Sequence, residues 1–367
     1  MSILIFIAVI VVLIVVHEFG HFIAAKLSGM RVDEFGLGFP PRAMILAKKG
    51  ETLYTLNWLP FGGFVKIYGE DASLDKLEMP NSFSSKTRLA QALVLVAGVA
   101  MNMLFAYALI TGALIAGTPR ALSDSEVATA KNVELAVANV LPGSPAAQAG
   151  LLQGDIILSA EDGHNILPQT TPSAFTKFVS EGGSNKTITL FVRHSDGKEA
   201  LLFARPVEGL IASDPSRPAI GVEVATIGVV PLSLGSAIIE GISLTWGATV
   251  LTAQGLWHFF YGIFTLSADL SQVAGPVGIA GIVGSSSSQG IGYLLSIMAI
   301  ISINLALIYL IPIPALDGGR LLFVIIESVI RRPIKQSIAH AVNAVGFIFL
   351  ILLMLVVTAN DIFRIVG

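Results

Sequence analysis

His17, Glu18 and His21 have the residue types and the spacing of a hydrolytic metal site. Two histidines four positions apart lie on one face of a helix, one turn from each other, which suits two nitrogen ligands of one tetrahedral Zn²⁺. Glu18 can reach a water on that metal without being a ligand, which suits a general base. The alternative is a polar cluster that seals a helix interface. Residues 3–16 carry no charge, and ionisable groups inside a membrane helix are functional by default, so the pattern favours the metal site.

Two histidines leave a zinc site one protein ligand short, and Asp317 is the best candidate for the third. It ends a run of 47 uncharged residues, 270–316. Prolines before it end or kink a helix, while Gly318 and Gly319 allow a close approach. The alternative is a helix-end cap. The other histidines fit less well: His164 and His194 lie in a segment of soluble composition, His258 in a segment of uncertain depth, and His340 at the start of the last apolar stretch.

The composition of the chain indicates an integral membrane protein. Its 367 residues are 54% hydrophobic and 13% charged, without cysteine, whereas about a quarter of a soluble domain is charged. A disordered or disulfide-stapled chain is excluded. A net charge of −3 excludes a nucleic-acid binder that works by electrostatic attraction.

Stretches of about 20 apolar residues predict four transmembrane helices. The predicted order is helix 1 at 1–27, a cytoplasmic and re-entrant region at 28–88, helix 2 at 89–117, an extracytoplasmic domain at 118–230, a linker region at 231–290, helix 3 at 291–316, a cytoplasmic loop at 317–336 and helix 4 at 337–360. Segment 232–266 could span the membrane or lie along its interface.

The distribution of positive charge predicts the orientation. Segment 26–88 carries nine Lys and Arg and segment 320–335 carries four, and cytoplasmic loops are enriched in these residues. Both termini and segment 118–230 are therefore expected outside the cytoplasm. His17, His21 and Asp317 then fall on the cytoplasmic half of the bilayer, although orientation played no part in choosing them.

Segment 118–230 has the composition of one small soluble domain with short strands, predicted at 135–140, 187–193, 200–204 and 220–224. Residues 140–158 resemble the PDZ family in their Ser-Pro-Ala, Ala-Gly-Leu and Gly-Asp-x-Ile elements, with a short helix that ends at Gly150. PDZ domains accept an extended peptide as an added strand. The alternative is a spacer whose groove binds nothing.

The cytoplasmic connection contains three apolar runs, 35–41, 52–58 and 61–67, separated by Gly and Pro. They predict short strands that are too apolar for a free loop. Backbone at membrane depth is tolerated only when it is buried in protein or lines a wet cavity. A re-entrant β-hairpin is therefore expected between the helices, with an edge strand that could receive a substrate.

These motifs together resemble the site-2 protease family of intramembrane zinc metalloproteases, peptidase family M50, and in particular its bacterial RseP/RasP branch. The fold that the resemblance implies is a polytopic α-helical membrane protein of four spans, with a re-entrant β-hairpin and one inserted α+β PDZ domain. Segment 232–266 would form membrane-associated helices. The resemblance places Zn²⁺ on His17, His21 and Asp317, with Glu18 as the catalytic base.

The resemblance also implies substrate-binding residues: Asn102, Asn304, Gly62, Gly63 and Phe64. Asn102 matches the second position of the family's Gly-x-x-x-Asn element, whose glycine is Gly98. Residues 275–279 match its Gly-Pro segment. The chain departs from the family at Tyr309, where an asparagine usually precedes Pro-x-Pro, and it has room for only one PDZ domain.

The implied function is hydrolysis of peptide bonds within transmembrane segments in regulated intramembrane proteolysis. Expected substrates are single-span proteins such as pre-trimmed anti-sigma factors, or remnant signal peptides. The expected location is the bacterial inner membrane, with the lipid bilayer as a partner and no nucleic acid. The alternative is a non-catalytic scaffold or chaperone that uses its PDZ domain. A transporter would show inverted repeats, and the sequence has none.

Overall fold

A computed structural model describes residues 2–70, 81–123, 126–163, 165–167, 171–182, 186–194, 197–211, 214–265, 267, 274–332 and 334–366. The chain divides into two compact units. The first, called the membrane unit here, combines Met1–Ala116 with Ser233–Gly367, and the second is Gly117–Leu232.

Among the described residues, five helices of the membrane unit are long and apolar enough to cross a bilayer. They are α1 (Ser2–Leu27), α2 (Arg88–Ala116), α5 (Leu234–Phe264), α7 (Ile291–Leu310) and α9 (Gln336–Val366). Four of them match the predicted spans. The fifth, α5, covers the segment of uncertain depth as one continuous helix. Two shorter helices, α6 (Pro276–Gln289) and α8 (Asp317–Ile330), complete the unit.

The predicted third span is shorter than expected, because α7 ends at Leu310. Residues 311–316 contain Pro312 and Pro314, which lack the N–H that a helix needs. Segment 317–336, predicted as a loop, contains the helix α8. Helices α7 and α8 are therefore separated by a short interruption, and Asp317 is the first residue after it.

Helices α2 and α7 pack side by side in opposite directions. The Ser302 hydroxyl donates to the backbone carbonyl of Asn102 over 2.8 Å, and a Cβ on Gly112 would lie 3.6 Å from the side chain of Leu295. Buried Val9 and Leu13 of α1 join the same hydrophobic cluster as Ile303. Helices α1, α2 and α7 therefore form the core of the bundle.

Two side chains of α9, one near each end, accept hydrogen bonds from backbone N–H groups of other segments. Its buried Asp361 accepts from the backbone N–H groups of Gly275 (3.1 Å) and Gly278 (2.8 Å), and so caps α6 from another helix. Near its start, Asn343 Oδ1 accepts from the N–H of Ala315 over 3.2 Å. These contacts satisfy backbone donors at the start of α6 and in the segment before α8, which would be costly to leave unpaired in a membrane.

The segment between α1 and α2 forms two long strands, β1 (Val32–Lys49) and β2 (Thr52–Ile67), instead of the three short strands predicted. Segment 42–49, which was not predicted as a strand, pairs with 52–57. Gly36 pairs with both Phe64 and Thr55, so the first half of β1 lies between two parts of β2. Residues 63–67 form an outer edge of this sheet, next to α1.

In the part of the chain that the structure describes, the second unit contains a six-stranded antiparallel sheet in the order β3-β8-β4-β5-β6-β7. Its elements are β3 (Pro119–Ala121), β4 (Lys131–Val140), α3 (Pro145–Gln148), β5 (Ile156–Glu161), α4 (Pro172–Gly182), β6 (Ile188–Arg193), β7 (Glu199–Ala204) and β8 (Val222–Val229). The four predicted strands and the short helix are confirmed within a few residues. Gly150 has a φ of +88°, as a helix-ending glycine requires.

Candidate metal centre

Helix α1 brings His17 and His21 to one point in the interior of the membrane unit. Their Nε2 atoms are 3.1 Å apart, and they lie 2.9 and 3.1 Å from Oδ2 of Asp317. Two ligands of a tetrahedral Zn²⁺ are about 3.3 Å apart. The three side chains thus fit one divalent ion, and within the described part of the chain no other group of His, Cys, Asp and Glu offers such a site.

Helix α2 orients both imidazole rings. His21 Nδ1 donates to the carbonyl of Val94 over 2.8 Å, and the carbonyl of Gly98 accepts from the His17 ring. Val94 and Gly98 are four residues apart, so the two carbonyls match the spacing of the two histidines. A ring that donates through one nitrogen presents the other to a metal, which is the usual outer-shell arrangement of metal-bound histidine.

Two glycines allow α1 and α2 to approach closely enough for these contacts. A Cβ on Gly98 would lie 2.4 Å from His21 Nε2 and 2.7 Å from His17 Cε1. A Cβ on Gly20 would lie 2.4 Å from the carbonyl oxygen of Ala97. Neither position has room for a side chain, so the helix crossing and the site depend on glycine at both.

The interruption between α7 and α8 places Asp317 against the histidines. Ala315 has a φ of +76°, unusual for a residue with a side chain. Its N–H is held by Asn343 of α9. A Cβ on Gly318 would lie 2.3 Å from the carbonyl oxygen of Ile311, and one on Gly319 equally close to that of Ile313. The glycines therefore let the chain fold back tightly after the prolines.

Glu18 lies beside the outer edge of the β-sheet. A Cβ on Gly63 would lie 3.6 Å from Glu18 Cγ, and the backbone of Val65 hydrogen-bonds the Glu18 carboxylate. Glu18 is not one of the three converging groups. It is thus adjacent to the candidate ligands, outside their cluster, and next to a strand edge where a peptide could lie.

The comparison with known proteins assigns the family. Residues 5–353 match peptidase family M50. The chain belongs to peptidase family M50. Two relatives bear the name "Putative zinc metalloprotease": one from Clostridium perfringens is 34% identical over 95% of each chain, and one from a Nostoc species is 32% identical over 96% of this chain and 93% of its own. A third, named Zinc metalloprotease RasP, from Oceanobacillus iheyensis, is 29% identical over 96% of each chain.

The five residues expected to bind substrate have different surroundings in this M50 chain. Asn102 is fully buried, with Nδ2 3.4 Å from His17 Nδ1 and with Oδ1 unpaired among the described residues. Gly63 lies next to Glu18. A Cβ on Gly62 would lie 2.7 Å from the Phe39 ring, and Phe64 packs on Gly36. Asn304 donates to the carbonyl of Ile300 in its own helix, and no hydrogen bond joins it to the described residues of the site.

Some features of the site have no signal in the sequence pattern alone. The Tyr309 ring stacks on His17, with centroids 4.3 Å apart and an interplanar angle of 26°. Asn343 lies on another helix, and helical periodicity does not identify its role.

Of the other histidines, His194 pairs with Asp155 over 2.8 Å in the second unit, and His164 lies outside the described residues.

Proposed function

We propose that this M50 protein is a zinc-dependent intramembrane endopeptidase, a site-2 protease. In this proposal His17, His21 and Asp317 hold Zn²⁺, and Glu18 is the general base. The observation that carries it is the convergence of three ligand atoms within about 3 Å, beside a carboxylate that is not a ligand. The names of the relatives support the metal and the reaction.

The reaction needs a base, a bound water and a positioned peptide. Zn²⁺, when bound, supplies a Lewis acid that lowers the pKa of a water toward neutrality and polarises a carbonyl. Glu18 would accept a proton from the attacking water as the water oxygen adds to the scissile carbonyl carbon. Glu18 then delivers the proton to the leaving nitrogen as the C–N bond breaks. The carbonyls of Val94 and Gly98 keep the imidazoles in place.

The substrate must be extended before it can be cut. A transmembrane helix has its carbonyls already hydrogen-bonded, so the scissile segment has to unwind. The outer edge at 63–67 provides backbone partners for the unwound segment next to Glu18, by addition of a strand. Single-span proteins fit this requirement, and pre-trimmed anti-sigma factors and remnant signal peptides are the substrates proposed from the family resemblance.

The proposed topology has four spans, with both termini and the second unit outside the cytoplasm. Because α2 and α7 run in opposite directions, the end of α2 and the start of α7 lie on the same side of the membrane. The chain between them must then cross the membrane an even number of times. Helix α6, with 14 residues, is about 21 Å long and too short to cross a core of about 30 Å. If α5 alone crossed the membrane completely, the chain between α2 and α7 would make an odd number of crossings. The proposal therefore places α5 at the membrane without a complete crossing.

The absence of cysteine makes this topology testable by single-cysteine labelling in inverted and right-side-out bacterial membrane vesicles. Ser267→Cys, just after α5, should be labelled from the outer face, like Ser123→Cys. Lys335→Cys should be labelled from the cytoplasmic face. Labelling of Ser267→Cys from the cytoplasmic face would mean that α5 crosses completely.

The second unit is proposed to be a PDZ domain that filters substrates by size. A cavity of about 390 Å³ lies between α4 and the segment before and within β8, lined by Phe175, Val179 and Gly221. On the open side of β8, β3 pairs only with residues 227–229 among the described residues. The first half of β8 is thus available to an added strand, as in peptide-binding domains.

The filter predicts that the length of a substrate's outer segment controls its cleavage. One membrane segment would be fused to outer extensions of about 10, 50 and 150 residues, the last being the size of a typical domain. The full-length protein should cut the shortest fusion fastest and the longest slowest by at least an order of magnitude. Equal rates would contradict a filter.

Metal removal tests the proposed function as a whole. Purified protein treated with a chelator should lose its zinc and its cleavage of a single-span substrate together. Added Zn²⁺ should restore both, whereas Mg²⁺ should not, because two imidazoles and one carboxylate favour zinc. If the protein holds zinc yet cleaves none of several single-span substrates, the scaffold or chaperone alternative is favoured.

A further inference from the structure

Tyr309 lies in the last turn of α7, directly against a proposed zinc ligand. Its ring stacks on His17 at a centroid distance of 4.3 Å. This contact fixes the plane of the tyrosine ring, so the hydroxyl has a defined position. His17 itself lies 2.9 Å from Oδ2 of Asp317 and is followed directly by Glu18. The phenol group therefore lies within the site, near the base and the ligands.

The Tyr309 hydroxyl has no partner among the residues that the structure describes. A tyrosine hydroxyl in a protein interior usually finds a hydrogen-bond partner. The Tyr107 hydroxyl on α2, for comparison, donates to the carbonyl of Ile238 over 3.1 Å. Nor is the Tyr309 oxygen fully enclosed, unlike the unpaired buried atoms of the described residues such as Asn102 Oδ1. An unused donor inside the site is therefore free for a molecule that enters it.

We propose that the Tyr309 hydroxyl donates a hydrogen bond to the scissile carbonyl oxygen as negative charge develops there. The inference rests on the proposed function. The water oxygen bonds to the carbonyl carbon, the carbonyl π pair moves onto its oxygen, and Glu18 carries the water proton to the leaving nitrogen. Tyr309 keeps its own proton throughout. Its contribution is a fixed dipole, aimed at charge that exists only in the transition state.

A structural role for the ring is the competing explanation, and Tyr309→Phe separates the two. Phenylalanine keeps the stacking on His17 and removes only the donor. Loss of one oxyanion donor typically lowers kcat by about 10²–10³-fold. We expect that fall in Tyr309→Phe, with KM within about threefold and the zinc content unchanged. The control is Tyr107→Phe, which removes a hydroxyl that donates to the backbone carbonyl of Ile238 in α5; it should keep the wild-type kcat.

A binding measurement makes the test independent of turnover. A phosphinic peptide resembles the tetrahedral transition state, so its affinity for Tyr309→Phe should fall by about the same factor as kcat. The affinity for an uncut peptide should not change. Wild-type kcat in Tyr309→Phe, or loss of its zinc, would overturn the role of the hydroxyl. A wild-type protein that neither cleaves nor binds the phosphinic peptide would instead overturn the proposed function, and this inference with it.

Discussion

Replacing Glu18 with glutamine is expected to lower kcat by about 10²–10⁴-fold, the usual contribution of a general base. Glutamine has nearly the same shape and can still accept from the Val65 backbone, but it cannot take a proton from water. Because Glu18 is not one of the three converging groups, zinc should remain bound. The measurement is single-turnover cleavage of a single-span substrate, with zinc content determined on the same samples.

Glu240→Gln is the matched control, since Glu240 is an acidic residue of α5 outside the site. It should cleave at the wild-type rate. A Glu18→Gln protein with more than about a tenth of wild-type kcat would contradict the assignment of the base. Loss of zinc from Glu18→Gln would instead mean that Glu18 is a ligand.

Replacing Gly98 with alanine is expected to remove most of the bound zinc and the activity. The new methyl group would lie 2.4 Å from His21 Nε2 and 2.7 Å from His17 Cε1, so both rings must turn away or α1 must separate from α2. Disturbing the groups that orient metal ligands lowers metal affinity by about 10–100-fold, and this substitution displaces the ligands themselves. Zinc affinity is measured by competition with a chromophoric chelator.

Gly112→Ala on the same helix is the control for Gly98→Ala. Its Cβ would meet only the Leu295 side chain at 3.6 Å, which is ordinary van der Waals contact. Helix propensity favours alanine in both cases, so the two variants differ in what the methyl group touches. We expect wild-type zinc affinity in Gly112→Ala. Tight zinc binding by Gly98→Ala would show that the ligands lie elsewhere.

The local chemistry of the site is predictable from sequence because it follows from helical spacing. Two histidines four residues apart share a face in any helix, and Glu18 follows directly. The sequence points to Asp317 by elimination of the other histidines and by the prolines and glycines around it. The structure brings it within 2.9 Å of His17 across 300 positions of the chain. The sequence alone supplied the residues of the cluster but not its geometry.

Other contacts are invisible to sequence patterns because they join distant helices through the backbone. Every residue type has a backbone carbonyl. The role of the Val94 and Gly98 carbonyls in orienting the imidazoles therefore cannot be inferred from the types of these two residues. The caps by Asn343 and Asp361 come from α9, far along the chain from the donors. Asn304 matches a family motif, but the motif does not predict that its amide donates within its own helix, and its role in binding substrate stays a prediction.

The sequence predicts β-strands between α1 and α2, but it does not predict how long they are. Periodicity indicates extended chain, but strand length depends on which partners the chain finds. Segment 42–49 forms a strand because 52–57 lies beside it. Helix α8 was likewise missed, because its short amphipathic pattern follows prolines and glycines that signal a loop.

The most direct test of the central claim is the chemistry of the cut itself. A single-span substrate with a short outer segment would be incubated with the zinc-loaded protein in ¹⁸O-labelled water, and the products analysed by mass spectrometry. We predict one cut within the membrane segment, with one ¹⁸O atom in the new terminal carboxylate, and product formation about 10²–10⁴-fold slower with Glu18→Gln. A cut outside the membrane segment, or equal product from Glu18→Gln, would contradict an intramembrane hydrolase that uses Glu18.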